Sequence, residues 1–73
     1  MKTLELNSVV MGCIRYEYFY KPEKRDRNGN SRFRVYLIDP EHNAVYERII
    51  QCYEFQIKNH VEIMIERIIE TEE

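Results

Sequence analysis

The chain alternates before it coils. Between Val9 and Tyr20, Ile14, Tyr16, Tyr18 and Tyr20 fall on one side of an extended backbone, and Cys13, Arg15, Glu17 and Phe19 on the other. That period of two, in a stretch rich in β-branched and aromatic residues, predicts a strand, with Gly12 marking a bulge. Leu4 and Leu6 also alternate, so the strand begins early or follows a short separate one. A second strand is predicted over Arg32–Ile38, with Phe33, Val35 and Leu37 inward and Arg32, Arg34 and Tyr36 in water. Between the two, residues 21–31 carry Pro22 and Asn28-Gly29 and no large apolar side chain, so they form a loop.

Residues 39–43 admit two readings. Asp39-Pro40-Glu41 resembles a helix start, with Asp39 as N-cap and Pro40 in the first turn, and the series Tyr46, Ile50, Tyr53, Ile57, Val61, Met64, Ile68 has helical steps. We favour a tight turn ended by Asn43 in the left-handed conformation, then a third strand from Ala44 to Ile50, because His42 and Asn43 start helices poorly and two strands alone are marginal. From Tyr53 to Glu70 a helix is predicted. Tyr53, Ile57, Val61, Met64 and Ile68 form its buried stripe, and Glu54, Glu62, Glu66 and Glu70 face away. The expected fold is one small α+β domain over residues 1–73. It has an antiparallel sheet of three strands, or four if the N-terminal segment forms its own, and one C-terminal helix on one face.

Length then changes the picture. A 73-residue chain has a small core and commonly leans on a disulfide, a metal or a partner. Cys13 and Cys52 read as reduced, half-buried thiols in a chain with no secretory leader and no membrane-spanning apolar run, so a cytoplasmic location is expected. Cys13, His42, Cys52 and His60 match no zinc spacing, and no phosphate loop, calcium loop or nucleophile–base pair is evident. Neither enzymatic activity nor a cofactor or metal is expected. A partner is the remaining support.

Two candidate surfaces follow. The net charge of −2 conceals a division: residues 15–34 hold seven basic residues against three acids, and residues 35–73 hold three against nine. Lys24, Arg25, Arg27, Arg32 and Arg34, with Arg15, Tyr36, Tyr46 and Arg48 on the open sheet face, form a loop-and-face surface for a partner, although Glu17 shares that face. The helix also has more apolar side chains than one sheet covers. Cys52, Phe55, Ile63, Ile65 and Ile69 lie beside or opposite the stripe and imply a second burial surface, most simply a homodimer.

The expectation is a non-catalytic protein-binding module, dimeric through its helix. The alternative is a nucleic-acid-binding module using the basic hairpin and the Arg/Tyr face. In size, acidity and sheet-plus-helix form the chain is similar to many small virus- or mobile-element-encoded proteins, including inhibitors that dock on a larger enzyme or nuclease. That similarity is one of class and carries no motif.

Overall fold

A computed structural model describes residues 6–71. Four strands form one antiparallel meander in the order β1-β2-β3-β4: β1 (Asn7–Met11), β2 (Ile14–Glu23), β3 (Arg32–Asp39) and β4 (Ala44–Gln51). A 3₁₀ turn (Glu54–Gln56) leads into the helix α1 (Ile57–Thr71), which covers one face of the sheet.

The long first strand is two strands. Met11 pairs with Ile14, so Gly12 and Cys13 are a two-residue hairpin loop rather than a bulge, and both have positive φ (60° and 67°). Two successive left-handed residues define the turn whose twist matches its flanking strands. At the next hairpin, Asp39 pairs with Ala44 across residues 40–43, and Asn43 (φ 51°) closes the loop as expected. The buried Asp39 carboxylate accepts from the Glu41 and His42 N–H groups (3.0 and 3.4 Å) and lies 2.6 Å from His42 Nδ1. These are the bonds that a helix N-cap would make, here used to brace a turn.

Val9, Tyr16, Tyr18, Val35, Leu37 and Ile50 on the sheet meet Ile57, Val61, Met64 and Ile65 on α1. Burial, and then the Glu62 carboxylate nearby, push the Tyr18 phenol above its ordinary value.

Three expectations about the helix change. It starts four residues late, at Ile57, and Tyr53 is exposed rather than in the stripe. No short polar residue caps it; instead Gln56 N–H donates to the Tyr53 carbonyl (2.9 Å), and the Gln56 side chain accepts from Tyr53 N–H (3.0 Å). Ile65 is fully buried and Ile69 half-buried against the core, so neither belongs to a second face. The physical reason is width: a four-stranded sheet takes in a broader arc of helix than three strands would. The thiols also differ, Cys52 being half-buried and Cys13 exposed at its turn.

Candidate functional site

Strand register decides what stands on the uncovered face. Leu37 pairs with Tyr46 and Val35 with Arg48, so Tyr46 and Arg48 project on the helix side of the sheet, not beside Tyr36. A one-residue difference in register exchanges the faces. The neighbours of Ile38, Tyr36 and Arg34 across β4 are Val45, Glu47 and Ile49.

The helix-free face is therefore more apolar than the sequence suggests. Val45 (61% exposed) stands on it beside half-buried Ile38, Tyr36 and Phe19, whereas Ile49 (46%) lies past Arg34 and Glu47, and Val10 (66%) stands apart beyond Arg15 and Glu17. Phe19 and Tyr36 stack at 4.7 Å, and Lys21 Nζ lies 6.0 Å from the Tyr36 ring centre. Arg15 and Glu17 are on the same face. Arg34 crosses it, held by Glu23 (Nε–Oε1 2.6 Å) on one side and by Glu47 on the other. The hydrogen bond from Arg34 is the main cause of a lowered Glu23 pKa, and the two carboxylates raise that of Arg34.

The basic loop is built rather than loose. The Asp26 carboxylate accepts from Asn28 N–H (2.9 Å), Asn30 N–H (2.8 Å) and Asn30 Nδ2 (3.0 Å), and these bonds, the Asn30 side chain first, hold its pKa low. Arg25 donates to the Gly29 carbonyl (3.1 Å) and Arg32 Nε to the Lys24 carbonyl (2.9 Å). Arg25, Arg32 and Arg34 thus have partners within the chain, while Lys24 and Arg27 extend into solvent.

The second apolar surface reduces to separated points. Phe55 (80% exposed) stacks on exposed Tyr53 at 5.8 Å beside the 3₁₀ turn, and Ile63 stands two turns further along. The rise through the rest of the 3₁₀ turn and into the helix sets Phe55 and Ile63 about 13 Å apart along the axis, too far for direct contact. Tyr46 and Arg48 instead line a groove of about 410 Å³ between β4 and the end of α1, together with Met64, Arg67, Ile68 and Thr71.

Among the described residues no group of three or more His, Cys, Asp or Glu side chains could hold a metal, and no helix is long and apolar enough to cross a membrane. Comparison with protein families, curated proteins and solved structures finds no match. The geometry of the surface is therefore the ground for a functional reading.

Proposed function

We propose that this chain is a non-catalytic protein-binding module that docks through the helix-free face of its sheet. The observation that carries this reading is the apolar cluster Phe19–Tyr36–Ile38–Val45, partly exposed and bordered by Glu17, Lys21 and the Arg34–Glu47 bridge, with Ile49 just beyond that bridge. Isolated apolar residues on a surface are ordinary, but a contiguous patch with a charged rim has the composition of an interface core and its border. Paired rim charges favour a partner whose own edge offers complementary charge.

Nucleic acid is the weaker alternative. Phosphate tracking needs several accessible cations, and three of the arginines nearest the loop are engaged by carboxylates or carbonyls. Cross-linking in a lysate of the source cells, with and without nuclease, tests the reading. Wild type is expected to capture a specific protein after nuclease treatment, and a folded Phe19→Lys variant to lose it. Capture that disappears with nuclease, or survives Phe19→Lys, contradicts the proposal.

A further inference from the structure

The outer edge of β4 is the longest unpaired backbone surface among the described residues: eight residues, against five on β1 at the other edge. Proteins protect such edges with charged side chains, lysine above all, with proline, a bulge or a covering segment. β4 reads Ala44-Val45-Tyr46-Glu47-Arg48-Ile49-Ile50-Gln51, with no lysine or proline; six of its eight residues are exposed, and of its two charges Glu47 is neutralised by Arg34 of the same chain.

Two registers pair seven residues of β4 with a second copy, centred on Glu47 or on Arg48, and the first is the better matched. In a continuous two-fold sheet, each residue faces one of the same side, so the axis passes through a residue that meets itself. With the axis at Glu47, Val45 meets Ile49 of the second copy, and Ile49 meets its Val45, on the helix-free face. On the other face Tyr46 meets Arg48, an aromatic–guanidinium pair made twice, and Ala44 meets Ile50. The pair on the axis is Glu47 with Glu47, and each is already bridged to its own Arg34, so two cations flank the two carboxylates. Neighbouring registers are poorer. An axis at Arg48 sets two guanidinium groups face to face and Ile49 against Glu47; an axis at Tyr46 sets Val45 against Glu47.

We propose that the chain forms a two-fold homodimer by antiparallel β4–β4 pairing centred on Glu47, making one eight-stranded sheet. The two helix-free faces then join, Val45 of each copy against Ile49 of the other, and the two β4–α1 grooves meet across the axis. Dimerisation also supplies the partner that so small a core calls for.

The proposal and the docking-face reading fail separately, because Phe19 lies two strands from the paired edge. Three measurements test it. Sedimentation of wild type is expected to show a concentration-dependent dimer. Val45→Lys/Ile49→Lys and Val45→Glu/Ile49→Glu, each checked for native circular dichroism, are expected to be monomeric alone and to associate when mixed, since lysines then oppose glutamates. Glu47→Cys, with Cys13 and Cys52 changed to Ser, is expected to cross-link to itself under mild oxidation, because directly opposed Cβ atoms lie about 4.5–5.5 Å apart. A wild type monomeric at millimolar concentration overturns the proposal. So does cross-linking through Ile63→Cys without cross-linking through Glu47→Cys, which would mark a helix-mediated dimer. The cysteine experiment remains decisive if the charge variants do not fold.

Discussion

Phe19 and Tyr36 stack on the side of the sheet that no helix covers, their ring centres 4.7 Å apart and their planes 16° from parallel. They are directly paired across β2 and β3, so the contact is a cross-strand pair on a wet face. An aromatic pair there serves the fold as well as any partner. A double-mutant cycle on Phe19→Ala and Tyr36→Ala is expected to give a coupling of ~0.5–1.5 kcal/mol in urea unfolding. Coupling near zero would show that the rings are merely adjacent, and that their contribution lies in binding alone.

The first hairpin invites stabilisation. Cys13 adopts a left-handed conformation that costs a non-glycine residue about 1–2 kcal/mol, and Gly12 before it adopts the same region. The preferred pair for such a turn is Asn-Gly. A Cβ at Gly12 would meet only Ile69 Cδ1, at 4.0 Å, an ordinary contact. Gly12→Asn with Cys13→Gly is therefore expected to raise stability by ~1 kcal/mol and to leave the register unchanged. Thermal melting checks the gain. A loss would mean that the introduced asparagine side chain disturbs the packing of Ile69.

This hairpin also shows where sequence reading stops. Alternation places Ile14–Tyr20 on their correct sides, whereas Lys21–Glu23, read as the start of the loop because of Pro22, continue β2 in register with Arg32–Arg34; the third strand and its turn at Asn43 are legible from turn chemistry. Val9–Tyr20 nevertheless reads as one strand, because the left-handed pair Gly12-Cys13 has no asparagine to announce it. On β4 the pattern is nearly silent: Val45, Tyr46, Ile49 and Ile50 place two apolar residues on each face, so only pairing with β3 shows that Tyr46 and Arg48 lie under the helix side. Ile65 is misplaced for a related reason. How much of a helix is buried depends on the width of the sheet beneath it, and the width depends on β1, which the alternation alone does not separate.

Acid is expected to weaken the fold through Glu23 and Asp26. Both have folded-state pKa values below their ordinary ones, Glu23 chiefly through Arg34 and Asp26 chiefly through the Asn30 side chain. The unfolded chain then binds more protons in this range. The contribution is present above the unfolded-state values and is lost as pH falls through the folded ones. Urea midpoints measured downward from pH 6 are expected to decline below about pH 4. The decline should be shallower in Glu23→Gln and in Asn30→Ala, each already weaker at neutral pH. Equal slopes in all three proteins would remove these two carboxylates from the account.

The basic loop separates structural from functional charge. Lys24 and Arg27 lie in solvent, whereas Arg25 and Arg32 donate to the Gly29 and Lys24 carbonyls. Changing Lys24 and Arg27 to Ser is expected to alter stability by less than ~0.5 kcal/mol. Changing Arg25 and Arg32 to Ser removes two charge-assisted bonds that brace the loop, and is expected to cost roughly 1 kcal/mol or more and to speed amide exchange at Asn28 and Asn30. The same two pairs of variants bear on the partner. If Lys24 and Arg27 only steer a protein to the docking face, their loss slows association and leaves dissociation unchanged. If the loop binds nucleic acid, the loss flattens the slope of log affinity against log salt by nearly one unit for each phosphate contact removed. Salt titration of fluorescent single- and double-stranded oligonucleotides against the wild type and the Lys24→Ser/Arg27→Ser variant makes the distinction. Binding by the wild type with a steep slope that the variant flattens would favour nucleic acid and count against the protein-binding reading. Absence of binding at low salt leaves these two cations as steering charges at one end of the sheet.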